Sequence, residues 1–327
     1  MNDWLYGENG YYTQYKEIGK EGDFYTSVST SKFFGGSIAK HIISLIDEGF
    51  LPNDTTICEI GAHKGYLLAD IVQFIYTLRP ELLDTLSFMT VERFDFLQET
   101  QDEYFEESFG DSVRLSHVKS LSELSLDSAF FIANEIFDAF SCELIYKDKI
   151  ASLKDGTIIF EEDNAWVSQK AKKYHKDKGE IALGYEEFAL EMKTAAKTFE
   201  FMTYDYGEMQ ARPDFSIRIY KEHEVIPLFD ENLKLSEVFC TSDITYDVCF
   251  EHLKDAYNEA GIEMNSFKTQ ALALIDMGLL DLLEILKEKG GEEMYLYELE
   301  RAKQLFLPDF LGERFKMMSF RQKENND

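Results

Sequence analysis

Residues 56–65, Thr-Ile-Cys-Glu-Ile-Gly-Ala-His-Lys-Gly, constrain the fold more than any other part of the chain. A short β-rich run ends at Gly61. Leu67, Leu68, Ile71, Val72 and Ile75 then recur at the spacing of one helix face, so strand, glycine turn and helix follow one another directly. The pattern repeats. Residues 87–92 read as a second strand, 95–107 as a helix, and 113–117 and 129–134 as third and fourth strands, the last nearly all apolar, as a strand buried on both faces must be. Strands alternating with helices build a parallel sheet, so the chain is expected to be an α/β protein. The expected form is Rossmann-like, a mostly parallel twisted sheet with helices on both faces.

Beyond residue 143 the alternation breaks. Residues 144–150 and 157–161, joined around Asp155-Gly156, predict a hairpin, and the charged stretch 169–180 reads as a solvated loop or lid. Tyr185, Phe188, Ala189, Met192 and Ala196 mark a helix, and 199–206 resumes the sheet. Cys249, Leu253, Ala256, Tyr257 and Ala260 mark another helix, stopped at Gly261. Leucine-rich helices are expected over 271–289 and 292–306, with a last strand over 315–320. This gives an N-terminal segment (1–50), a core (51–143 and 199–270), an insertion (144–198), and C-terminal helices with a strand (271–327). The insertion and the C-terminal helices form a smaller α+β unit.

Composition narrows the function. With 62 acids against 33 Lys and Arg the net charge is −29, a field that repels phosphate backbones, so nucleic acid is not an expected partner. A protein with a basic segment is steered inward by the same field. No apolar run approaches the roughly 20 residues of a membrane span, and the opening Met1-Asn2-Asp3-Trp4 has the form of neither a secretory signal nor a transit peptide. Cys58, Cys142, Cys240 and Cys249 lack paired spacing and the histidines lack ligand spacing, so neither a disulfide framework nor a metal centre is expected, and the reading is cytoplasmic.

The candidate site sits where the first strands end. At Gly61 and Gly65 a ligand can approach bare backbone, and the helix beyond offers N–H groups to an anion. Glu92, at the end of the second strand, is an acid able to accept hydrogen bonds from two ribose hydroxyls. Asn134, Glu135 and Asp138 follow the fourth strand at the same sheet edge, where polar side chains need partners. An ordinary tight turn and an ordinary surface acid stay open as alternatives for the glycines and for Glu92.

Several segments together resemble the MidA family of S-adenosylmethionine-dependent methyltransferases. They are Gly22-Asp23-Phe24-Tyr25-Thr26-Ser27, Ser31 with Phe34-Gly35, the turn from Glu59 to Gly65, Val91-Glu92 with Gln98, Ala133-Asn134-Glu135-Ile136-Phe137-Asp138-Ala139, and Tyr204-Asp205-Tyr206-Gly207. The resemblance implies a class I methyltransferase fold and S-adenosylmethionine as cofactor. It also implies a protein substrate, with arginine methylation and assembly of respiratory complex I among the family's roles. By the resemblance, Gly22, Asp23, Tyr25, Thr26 and Ser27 cover the cofactor, Glu59, Gly61 and Gly65 lie near its methionine portion, and Glu92 lies on its ribose. Glu135 and Asn134, with Asp138, face the acceptor.

The chain departs from the family in two places. His63 stands where the turn usually has its middle glycine, and Ser141 stands near the place of a proline after the Asn-Glu segment. These departures keep a second reading open, a binding or assembly protein that has kept the fold and lost the reaction. The spacing of Gly61 and Gly65 does not meet the Gly-x-Gly-x-x-Gly fingerprint of nicotinamide enzymes.

Overall fold

The computed structural model describes residues 1–13, 27–162, 164–221 and 224–324. Strands run along the chain as β1 (Thr56–Ile60), β2 (Ser87–Val91), β3 (Leu115–Val118), β4 (Leu126–Asn134), β5 (Cys142–Tyr146), β6 (Lys149–Lys154), β7 (Thr157–Glu162) and β8 (Lys178–Ala182). They continue as β9 (Ala196–Glu208), β10 (Arg218–Lys221), β11 (Glu224–Pro227), β12 (Asp243–Thr245), β13 (Val248–Cys249), β14 (Glu263–Thr269) and β15 (Phe315–Gln322). Two compact units emerge, one of residues 26–134, 189–204 and 260–327 and the other of 1–25, 135–188 and 205–259. These boundaries differ from those read off the sequence. The stretch 205–259, expected in the core, folds with the insertion, and the C-terminal helices fold with the core.

The first unit holds the sheet, in the order β14-β15-β9-β4-β1-β2-β3. β1 pairs parallel with β2 and β4, β2 with β3, and β4 with β9, while β14 and β15 are antiparallel. The mostly parallel α/β architecture is therefore present. Phe130 and Ile132 of β4 join the main core with Ile57, Leu68, Ile71 and Ile75, while Ala129, Phe131 and Ala133 on its other face are fully buried too. A strand covered on both sides needs the unbroken apolar run seen in the sequence. Helix Phe33–Asp47 packs on helix Tyr66–Leu78 through Gly35 and Gly36; a Cβ on these residues would lie 2.7 Å from Asp70 and 2.6 Å from Phe74. On β9, Glu200, fully buried, accepts from His41 at 2.7 Å and from Arg321 at 2.5 Å.

Two expectations are corrected here. The leucine-rich helix over 271–289 is two helices, Gln270–Asp276 and Leu279–Gly290, because Gly278 takes φ 85° and turns the chain between them. β14 was not anticipated, because its polar sequence suits a sheet edge and carries no apolar alternation.

The second unit carries the sheets β7-β6-β5-β8 and β11-β10-β12. The expected hairpin turn at Asp155-Gly156 is present, joining β6 to β7, and β5 extends it into a meander. Residues 144–150 are not one strand but the ends of β5 and β6, joined by Lys147-Asp148, where Lys147 takes φ 55° with no glycine to signal a turn. The charged stretch 169–180 is not a loop or lid either. It completes helix Ala165–Lys173, whose first N–H groups are capped by Asn164, and begins β8. Val167 and Ala171 point into a small core with Ile145, Ile150 and Ile181, while Lys172 and Lys173 are exposed.

Candidate functional site

The rim where β4, β1 and β2 end belongs wholly to the first unit. Because these strands are parallel neighbours, Asn134, Gly61 and Glu92 arrive at one edge of the sheet. Gly61 takes φ 70°, is exposed, and donates its N–H to Val91 O at 3.0 Å, which sets its bare backbone beside Glu92. Gly65 takes φ 78° as the residue before helix Tyr66–Leu78.

Glu92 is 6% exposed, and its orientation is fixed from three directions. Its carboxylate accepts from Phe94 N at 3.2 Å, its carbonyl accepts from the Gln98 side chain at 2.6 Å, and its N–H donates to Val118 O at 2.9 Å. Burial lifts its pKa to about 7, against the pull of the Phe94 N–H. A buried carboxylate beside exposed glycine backbone is a donor-seeking group.

Glu59 has a role the sequence did not signal. Its carboxylate accepts the N–H of Leu68 at 3.0 Å, in the first turn of the following helix, and burial raises its pKa to about 8. It braces the turn against the helix start. His63 is half-buried and takes φ 48°, the left-handed backbone that a glycine there would supply. Its carbonyl accepts from the Gln101 side chain at 2.8 Å; Gln101 in turn accepts from Thr90 at 2.8 Å, and His117 reaches Thr90 at 2.7 Å and Asp102 at 3.0 Å. Gln101 and Thr90 were missed, because no motif marks a residue whose partner is a backbone oxygen 38 positions away.

Of the N-terminal segment, Gly22, Asp23, Tyr25 and Thr26 lie outside the described residues. Ser27 is fully buried, and its hydroxyl donates to Gln270 at 2.9 Å, so its proton is committed within the protein.

The residues following Asn134 belong to the second unit. Glu135 is half-buried and takes φ 55°, a strained backbone for a glutamate and a feature common where a side chain must be aimed. The turn Phe137–Ala139 is capped by Asp205, which the sequence placed only in a motif; its carboxylate accepts from Phe137 N at 3.0 Å, Asp138 N at 3.3 Å and Tyr206 N at 2.9 Å. Asp138 is the middle residue of that turn. It is 3% exposed, and burial lifts its pKa to about 6 against the Tyr206 hydroxyl and the Arg218 guanidinium. Arg218 lies over the Tyr206 ring at 4.5 Å and donates to Asp247 at 2.7 Å.

Comparison with known proteins agrees with this fold. A model of a family of S-adenosyl-L-methionine-dependent methyltransferases matches residues 37–268. The chain is 22% identical over 351 residues to the mitochondrial protein arginine methyltransferase NDUFAF7 of Xenopus laevis, covering 95% of this chain and 77% of that protein. It is also 22% identical over 342 residues to that of Danio rerio, with 95% and 79% covered. A COG1565 superfamily member from Burkholderia thailandensis, solved with S-adenosyl-homocysteine, shares the fold, with a TM-score of 0.82 at 20% identity over 98% of this chain and 86% of that one. The native Burkholderia thailandensis structure gives 0.79 at 20% identity, covering 98% and 85%.

Proposed function

Because the chain belongs to the family of S-adenosyl-L-methionine-dependent methyltransferases, as the match over residues 37–268 shows, we propose that its methyl acceptor is a protein and that the atom methylated is an arginine nitrogen. The cofactor is S-adenosylmethionine, and the rim fits it. Glu92 is the acid for the ribose hydroxyls, and Gly61 leaves open backbone beside it for the rest of the ligand. Bound there, the cofactor supplies an electrophilic methyl group on a sulfonium. The protein's own task is to align the acceptor and exclude water.

The observation that carries the reading is the fixed, buried carboxylate of Glu92 next to Gly61. The left-handed backbone of His63, the conformation a glycine there would take, supports a turn that still receives the cofactor. For the acceptor, Glu135 follows Asn134 directly in the chain, and a carboxylate accepts two parallel N–H bonds from a guanidinium, fixing which nitrogen faces the methyl group. The names of the Xenopus and Danio relatives support arginine, and the net charge of −29 favours a substrate segment that is basic. A subunit of a respiratory complex is the proposed target class. The four free cysteines, Cys58, Cys142, Cys240 and Cys249, support work in a reducing cytoplasm.

The test is incubation of the chain with isotopically labelled methyl donor and a set of Arg-, Lys- and His-containing basic polypeptides, read by mass spectrometry. Label on arginine, lost in Glu135→Gln while S-adenosylhomocysteine still binds, is the expected result. Label on lysine or histidine alone would overturn the arginine assignment.

A further inference from the structure

In a chain of net charge −29, the second unit contains a concave pocket of about 290 Å³ whose rim is cationic. Lys147, Lys149, Lys172 and Lys176 line it with His175, and its acids are Asp148 and Asp177. Three observations set this pocket apart from an ordinary solvated face. First, the neighbouring lysines Lys170, Lys173 and Lys178 are each held by a carboxylate, whereas among the described residues Lys147, Lys149 and Lys172 are in no ion pair. In a protein with nearly twice as many acids as bases, three cations around one cavity without acid partners leave a charge for a ligand to meet.

Second, two residues of the pocket hold left-handed backbones without being glycine, Lys147 at φ 55° and His175 at φ 51°. Lys147 is the first residue of a two-residue turn between β5 and β6, a slot that usually goes to glycine or asparagine. Its N–H donates to the carbonyl of Asp177, tying this turn to the loop before β8, so both strained residues are fixed around the same cavity. Third, Lys176 is 5% exposed; its ammonium donates to Glu180 O at 2.9 Å and lies 3.9 Å from the Glu180 carboxylate. That carboxylate also takes the N–H groups of Ser216 at 2.8 Å and Ile217 at 2.9 Å, so it is shared and only partly offsets the buried cation.

We propose that this pocket binds a small soluble molecule through one or two phosphoryl groups, at a site separate from the methyl-transfer rim. Lysine ammonium groups act as point charges toward phosphate oxygens, and the volume suits a compact ligand, near the lower end of the roughly 300–1,000 Å³ of small-molecule sites. The proposal stands whether or not the acceptor of methylation is arginine, because it uses none of the rim residues.

The test is isothermal titration of the full chain with inorganic pyrophosphate at fixed ionic strength, beside Lys149→Ala, Lys172→Ala and, as control, Lys303→Ala. Saturable binding is expected, weakened about tenfold by each of the first two substitutions, the scale of one charge-assisted hydrogen bond, and unchanged by the third. S-adenosylhomocysteine affinity and the melting temperature report that each variant is folded. Absence of saturable heat, equal weakening by all three substitutions, or binding to phosphatidic-acid vesicles without binding to pyrophosphate overturns the proposal.

Discussion

Gln101 donates its side-chain amide to the carbonyl of His63 at 2.8 Å, so the turn beneath the proposed cofactor position is held by helix Asp95–Phe109. The same amide group accepts from Thr90 at 2.8 Å. Gln101→Leu removes both bonds and leaves buried polar groups without partners, a cost of about 1–3 kcal/mol. Urea unfolding reads this loss, and S-adenosylhomocysteine titration should show weaker binding from the same variant, since the turn loses its tether. Unchanged affinity would separate the tether from the site.

His63→Gly is expected to stabilise the protein by about 1 kcal/mol, because φ 48° costs an L-residue and costs glycine nothing. Cofactor affinity should stay within about threefold, roughly 0.6 kcal/mol, since the backbone path is already that of glycine. A large gain in affinity would mean that the imidazole obstructs the cofactor.

By the role proposed for Glu92, cofactor binding depends on pH. Its native pKa is about 7 against an ordinary 4.5, raised by burial, so in the absence of ligand it costs stability as pH climbs from 4.5 through 7. Ribose hydroxyls donate to the ionised form, so affinity for S-adenosylhomocysteine should rise over the same interval and level off above it. Glu92→Gln should flatten this profile and weaken binding about tenfold or more, the scale of a charge-assisted bond. A pH-independent affinity in the unsubstituted protein would remove Glu92 from the site.

Glu200 works in the opposite direction. His41 and Arg321 outweigh burial and hold its carboxyl below the ordinary 4.5, so it contributes stability above that value, and the contribution is lost as acid titrates the native carboxylate. Glu200→Ala leaves Arg321 and the His41 ring without their carboxylate partner and should cost about 3–5 kcal/mol at neutral pH. Glu200→Gln should remove the corresponding part of the acid dependence in thermal unfolding below pH 4.5.

Gly207 closes the Tyr-Asp-Tyr-Gly motif for a steric reason. It takes φ 152° opposite Val248, and a Cβ there would clash with the Val248 carbonyl oxygen. Gly207→Ala must push β13 from β9, and a loss of about 2 kcal/mol or more by chemical denaturation is expected.

The most legible part of the chain was the one whose determinants are local. The apolar run 56–60, the two glycines and the 3.6-residue period after them gave β1 and helix Tyr66–Leu78 nearly to the residue. Elements defined by distant partners were not legible. Lys147 turns the chain without a turn residue because Asp177 holds it, and the charged stretch 169–180 becomes helix and strand because Lys176 and Glu180 are buried against Ser216 and Ile217. In the site the sequence supplied Gly61, Gly65 and Glu92 by position along their strands. It did not supply Asp205 or Gln101, whose contacts span 68 and 38 residues, nor that Ser27 is tied to Gln270 across 243.

β15 lies between β14 and β9 in the sheet, although it follows every other strand in the sequence. A ribosome therefore delivers both of its neighbours before the strand that joins them. Until then the inner edge of β9 waits with open backbone groups, exposed to pairing with the wrong chain. Domain completion is thereby postponed until residues 315–322 have been made, and damage to them would injure the whole sheet from within rather than trim its border.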